Sequence, residues 1–242
     1  MLGVILLGIR HVTRDEMIEI DRIMIDEFHI NPIILIENTA KSLAVLTREL
    51  LNKDVYGKEI AILVGKGNNA TGGLAAARHL HNWGANVEII TTYSGVELME
   101  YQCKELDLVR TMGISVIYKS QKNFEGYDLL IDAILGYDLN QNLSDPVVTI
   151  INDANESRVP TLALDLPSGL DATSGIPCNP TIRATTTMSL GIPKRGLMTP
   201  QAKPYVGSMY LADISIPRVI YSKLGEDFGH LFSKTFIVRI NY

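Results

Sequence analysis

Acids, amides and a lysine stand where β-rich apolar runs end in this sequence. Val64 is followed by Gly65-Lys66-Gly67-Asn68-Asn69, and Leu129-Leu130-Ile131-Asp132-Ala133-Ile134 carries a carboxylate inside an apolar run. Ala163-Leu164-Asp165-Leu166-Pro167-Ser168-Gly169 ends in an aspartate and a turn that Pro and Gly enforce, and Gly191-Ile192-Pro193-Lys194 follows a run ending at Leu190. Burying Asp132 is costly unless it is hydrogen-bonded, paired or bound to a metal. An acid and a base such as Asp165 and Lys194, once brought together, can move protons to and from a substrate. Glycines and small polar residues ahead of a helix turn backbone N–H groups toward an anion, phosphate above all. The spacing at 65–73 nevertheless fits neither a Walker loop nor the dinucleotide pattern G-x-G-x-x-G. Taken singly, each feature also has a plain structural reading as a turn, a loop hydrogen bond or a surface charge. Everything depends on whether the elements carrying them converge.

The elements alternate. Thr13-Arg14-Asp15-Glu16 has the form of a capping box, with Met17, Ile20, Ile23 or Met24, and Phe28 at helical spacing behind it. Asn31-Pro32 opens a second helix to about Leu51, in which Glu37 and Asn38 read as part of a solvated face. From residue 59 onward, strands are expected at Glu59–Val64, Asn86–Thr91, Ile114–Tyr118, Leu129–Ile134, Thr161–Asp165, Ala184–Leu190 and Ser208–Ile214. Helices are expected at Leu74–Trp83, Gly95–Met112 and Pro146–Glu156, with a polar glycine-rich turn over 65–73 and a last strand at Phe236–Ile240. Such alternation predicts βαβ units and a mainly parallel sheet. In that arrangement strand carboxyl ends share one edge, where ligands bind, so Asn68, Asn69, Asp132, Asp165, Ser168 and Lys194 should meet. One domain spanning 1–242 is expected.

Bulk properties narrow the classes. A chain of 242 residues with 46% hydrophobic and 20% charged residues is ordinary globular material, and a net charge of −5 does not indicate a nucleic-acid surface. Cys103 and Cys178 form no Cys-x-x-Cys or Cys/His cluster, which fits a reducing, cytoplasmic setting and argues against a zinc site. The apolar start at 1–7 is too short to span a bilayer and is followed by Arg10-His11. It reads as an arm or edge strand packed on the sheet or on a partner subunit. No Gly-x-Ser-x-Gly elbow surrounds Ser168, so a serine hydrolase is disfavoured.

Several motifs, in order, resemble the YjeF N-terminal domain family over nearly the whole chain. They are Glu37-Asn38-Thr39-Ala40, Val64-Gly65-Lys66-Gly67-Asn68-Asn69, Ala76-Ala77-Arg78-His79-Leu80, Ile131-Asp132-Ala133-Ile134-Leu135-Gly136, Leu164-Asp165-Leu166-Pro167-Ser168-Gly169-Leu170-Asp171, Gly191-Ile192-Pro193-Lys194 and Ala212-Asp213-Ile214-Ser215-Ile216-Pro217. The resemblance implies a Rossmann-like three-layer αβα sandwich with two N-terminal helices, often dimeric. It also implies an NAD(P)HX epimerase, interconverting the R and S forms of hydrated NADH or NADPH, and the bulk properties add no expectation of a membrane or nucleic-acid partner. By the same resemblance, Asp165 and Lys194 are catalytic, and Asn69, Asp132 and Ser168 are potassium ligands. Asn68, Asn69, Ala70, Thr71, Gly72, Gly136, Tyr137, Asp138, Leu139 and Asp165 are the implied substrate-binding set.

The family loop Gly-Asn-Asn-Gly-Gly-Asp-Gly is here Gly67-Asn68-Asn69-Ala70-Thr71-Gly72-Gly73, and the family Gly-Thr-Gly turn is Gly136-Tyr137-Asp138. One expectation is that Asp138 replaces the carboxylate missing at Gly72. The alternative class is a catalytically silent nucleotide-binding or scaffold protein with altered phosphate loops, since a fold does not fix a function.

Overall fold

The structure is a computed structural model that describes residues 3–5, 9–93, 98–118, 121–137, 143–223, 225 and 229–241. Among these, β1 (Gly3–Ile5), β2 (Glu59–Val64), β3 (Asn86–Thr91), β4 (Ser115–Tyr118), β5 (Leu129–Ala133), β6 (Thr161–Leu164), β7 (Thr186–Leu190), β8 (Ser208–Ala212) and β9 (Ile237–Ile240) form one sheet. Its order is β1-β9-β8-β7-β6-β5-β2-β3-β4. Every neighbouring pair is parallel except β8–β9. The apolar start thus supplies an edge strand, with Val4 opposite Arg239.

The helices are α1 (Arg14–Arg22), α2 (Pro32–Leu50), α3 (Asn68–Asn82), α4 (Glu100–Thr111) and α5 (Val147–Ser157), with shorter turns near the C-terminus. Side chains alternate across each strand. Ile60, Ile62 and Val64 of β2 pack with Leu43, Leu74 and Val109 from α2, α3 and α4. Ala61 and Leu63 pack with Ile150, Ile151 and Ala154 of α5 on the opposite face. That is the expected three-layer αβα sandwich. A further apolar cluster joins Met17, Ile20 and Met24 to Met209, Leu211 and Val238.

The capping box is present: Thr13 Oγ1 accepts from the Glu16 N–H at 3.2 Å and the Glu16 carboxylate accepts from the Thr13 N–H at 2.8 Å. Beyond α1 the helix widens into a π-helical segment, Ile23–Glu27, after which Phe28 turns outward.

Two local expectations need correction. Helix α3 starts at Asn68 rather than Leu74, so most of the stretch read as a loop is its first two turns. Gly67, with φ +97°, makes the turn that a side chain would resist, and the weak helix formers behind it are held by burial instead of propensity. Glu37 and Asn38 do not form a solvated face. Glu37 accepts from Arg78 at 2.5 Å and lies 2.8 Å from His79 Nε2, while the Asn38 amide donates to the Ile214 carbonyl at 3.4 Å. Burial pushes the Glu37 carboxyl up, but the bonds from Arg78 and His79 outweigh it and hold it below its usual range.

Small residues let α3 lie close to the sheet. A Cβ at Gly73 would stand 2.6 Å from the Ala133 Cβ on β5. Gly73→Ala is therefore expected to cost about 1–3 kcal/mol through overpacking, measured as a lower urea midpoint with an unchanged slope.

Candidate active site

Strand order reverses between β2 and β5: β3 and β4 extend to one side, β6, β7 and β8 to the other. Open α/β sheets bind ligands in the crevice at the carboxyl ends of the strands flanking such a switch point. The four strands ending in the singled-out residues are the adjacent set β2-β5-β6-β7, so their ends do converge. A cleft of about 260 Å³ opens there, and Gly67, Asn68, Asn69, Gly136, Asp165 and Lys194 line it.

Asp165 and Lys194 form its floor. Lys194 Nζ donates to Asp165 Oδ1 at 2.5 Å and to the Leu190 carbonyl at 3.1 Å, and the two residues are only 1% and 3% exposed in the order Lys194, Asp165. The Leu190 N–H adds a bond to the same carboxylate oxygen at 3.1 Å. Asp165 has φ +67°, a left-handed conformation that aspartate tolerates better than most residues, and its N–H donates to the Met188 carbonyl at 2.8 Å. This twist at the strand end keeps the carboxylate over β7. Lys194 is fixed from the other side by Val12, whose N–H donates to Pro193 O at 3.0 Å and whose carbonyl accepts from Arg195 N at 2.8 Å. The residues just before α1 thereby position the lysine.

Behind this floor lies Asp132, fully buried. Its carboxylate accepts from Ser168 Oγ at 2.6 Å, from Ser168 N at 2.7 Å and from Ile134 N at 3.2 Å. No basic side chain pairs with it among the described residues. Burial pushes its carboxyl up to about 6, against the lowering effect of the Ser168 and Ile134 hydrogen bonds. Asn69 reaches the same region, donating to Leu135 O at 2.9 Å and Leu164 O at 3.1 Å. Asn69, Asp132 and Ser168 therefore do gather in one place, as a buried carboxylate without a counter-charge among oxygen donors. Such a donor set suits a hard cation.

The remaining predicted residues separate. Asn68 and Gly72 line the cleft, whereas Ala70 and Thr71, in the first turns of α3, face the interior and do not, because the helix begins earlier than the sequence suggested. Gly136 and Tyr137 line it too. The expectations for Asp138 and Leu139 lie outside the described residues.

Three contributors were not found by sequence. Gln102 of α4 is wholly buried. Its Oε1 accepts from Gly67 N at 3.0 Å and its Nε2 donates to Gly65 O at 2.8 Å, clamping both sides of the turn ahead of α3. Lys66 and Asp21 line the cleft as well. The available signal at Gln102 was a polar residue on the apolar stripe of a helix. Gln102→Leu would leave the Gly67 N–H and Gly65 carbonyl unpaired, at about 1–3 kcal/mol for a buried group.

Comparison with known proteins follows this geometry. Residues 32–196, more than half of the chain, match the model of the YjeF-related protein N-terminus family. The chain belongs to this family. YjeF-related relatives include an NAD(P)H-hydrate epimerase of Dehalogenimonas lykanthroporepellens, 33% identical over 96% of this chain and 94% of that protein. Another NAD(P)H-hydrate epimerase, from Lentilactobacillus buchneri, is 32% identical over 86% of this chain and 95% of that one. A bifunctional NAD(P)H-hydrate repair enzyme of Moorella thermoacetica is 33% identical over 86% of this chain but only 41% of its own length. The YjeF-related fold is also that of the yeast protein ynu0, whose crystal structure superposes with a TM-score of 0.80 at 22% identity, covering 96% of this chain and 100% of the yeast chain.

Proposed function

We propose that this protein is an NAD(P)H-hydrate epimerase that interconverts the R and S forms of hydrated NADH and NADPH. The observation that carries this reading is the buried Asp165–Lys194 pair, at 2.5 Å, on the floor of a cleft beside the amides opening α3. The names of the relatives matched over nearly their full length support it. A catalytically silent scaffold has no need to hold an ammonium and a carboxylate in a dry cleft, an arrangement that costs solvation.

In the proposed reaction the ring carbon bearing the hydroxyl loses and regains it. Lys194 gives a proton to the departing hydroxyl, which leaves as water, while the ring nitrogen lone pair forms the C=N bond. Asp165 stabilises the resulting positive charge. Water then adds to the opposite face and returns its proton to the Lys194 amine. Asn68, Lys66 and the N–H groups at the start of α3 favour the diphosphate by charge and helix polarity.

The reading includes a potassium ion held by Asn69, Asp132 and Ser168, supported by the uncompensated buried carboxylate of Asp132. Bound there, the ion supplies positive charge that neutralises Asp132 and favours an anionic ligand nearby. It also includes a cytoplasmic homodimer. Two free cysteines suit a reducing setting, and light scattering at about twice 26.7 kDa would bear out the dimer. The activity is tested by incubating purified protein with the hydrated dinucleotides and separating the epimers by chromatography. Interconversion no faster than in buffer would defeat the reading.

A further inference from the structure

We propose that Tyr137, fixed by Asp21, is the aromatic face on which the six-membered nitrogen ring of the ligand, flattened and cationic once its hydroxyl has left, stacks beside the Asp165–Lys194 pair. The inference rests on the nucleotide reading of the cleft and assigns two residues within it. By its place after β5, Tyr137 belongs to the turn expected to face the diphosphate. Its side chain goes elsewhere. The Tyr137 hydroxyl donates to the Asp21 carboxylate of α1, across 116 residues of sequence. Its ring centre lies 5.8 Å from Lys194 Nζ, within reach of a cation–π contact, and its body packs on the apolar cluster that includes Met17 and Met24. Both Tyr137 and Asp21 line the cleft.

The ring stands beside the reacting pair, within 5.8 Å of Lys194 Nζ. A half-buried aromatic face attracts a flat ring, and a ring that carries positive charge most of all, through the negative π-cloud. The hydrogen bond to Asp21 removes the freedom of the Tyr137 side chain before the ligand arrives, so that less entropy is lost on binding. Asp21 is thus a positioning residue that acts through Tyr137. The ligand selected is a dinucleotide whose nitrogen ring is flat and cationic, or becomes so on losing its hydroxyl, in preference to the same dinucleotide skeleton without the ring.

The test compares NAD+, which carries a flat cationic ring, with ADP-ribose, which lacks it, by titration calorimetry on the full chain. Wild type is expected to bind both, NAD+ more tightly. Tyr137→Ala should weaken NAD+ about tenfold and leave ADP-ribose within about twofold, erasing the margin between them. Tyr137→Phe keeps the ring and covers the case in which the alanine variant fails to fold. It should weaken NAD+ about threefold, as should Asp21→Leu, and the two together no more than either alone, since both remove one hydrogen bond. Equal losses for the two ligands, or no loss of NAD+ binding in Tyr137→Ala, would overturn the stacking role while leaving the nucleotide reading standing. Wild type binding neither ligand would overturn the nucleotide reading and the inference with it.

Discussion

Lys194→Met is expected to lower the rate of epimerisation by about 10²–10⁴, the range that a positioned general acid contributes. The same variant should also lose about 3–5 kcal/mol of stability, because it strands the Asp165 carboxylate in a buried site. The two effects are separable. In the double variant Asp165→Asn with Lys194→Met, no charge remains to be buried. Asparagine tolerates the left-handed backbone at φ +67° and can still accept from the Leu190 N–H. Most of the lost stability should return while activity stays at the floor. A denaturation midpoint and an epimer time course on wild type, the single variant and the double variant measure both. Were the single variant to lose stability but keep its rate, the pair would be structural only.

The second large effect concerns Asp132. With potassium held by Asn69, Asp132 and Ser168, the melting temperature should rise with potassium chloride and not with an equal concentration of a bulky cation such as tetramethylammonium. At about one hundred times the dissociation constant, binding to the folded form alone adds about 2.7 kcal/mol. Asp132→Asn should abolish that dependence. It should also cost about 1–3 kcal/mol without any cation, since the amide cannot accept from both Ser168 N and Ser168 Oγ as the carboxylate does. A potassium-dependent rise that survives in Asp132→Asn would place the ion elsewhere.

Much of this architecture can be read from the chain, for identifiable reasons. Strand β2 is, after Glu59, a continuous buried apolar run bounded by turn residues, and the ends of β2 and β3 coincide with the expected ones. Fully buried parallel strands carry that kind of signal. Because each polar group lies within a few residues of the carboxyl end of its strand, topology alone brings Asp132, Asp165 and Lys194 to one edge. Helix α3 was harder to read. Asn68-Asn69-Ala70-Thr71-Gly72-Gly73 has loop composition, and only the pressing of α3 against Ala133 and Thr39 explains why small residues form helix there. The partnerships of Gln102 with Gly65 and Gly67, and of Tyr137 with Asp21, span 35 to 116 positions and have no local pattern at all. Gln102 stands on the same stripe of α4 as Leu106 and Val109, which marks it as inward-facing without naming its partners, and it is completely buried. Local spacing records which backbone element a residue belongs to, and long-range packing decides what its side chain meets.

The most direct measurement of the proposed chemistry starts from one pure epimer of hydrated NADPH and follows the appearance of the other by chromatography, with wild type and folded Lys194→Met side by side. The expected result is rapid approach to the equilibrium mixture with wild type and the spontaneous rate with the variant. A wild-type rate equal to buffer, or a variant rate equal to wild type, would contradict the assignment of Asp165 and Lys194 as the reacting pair.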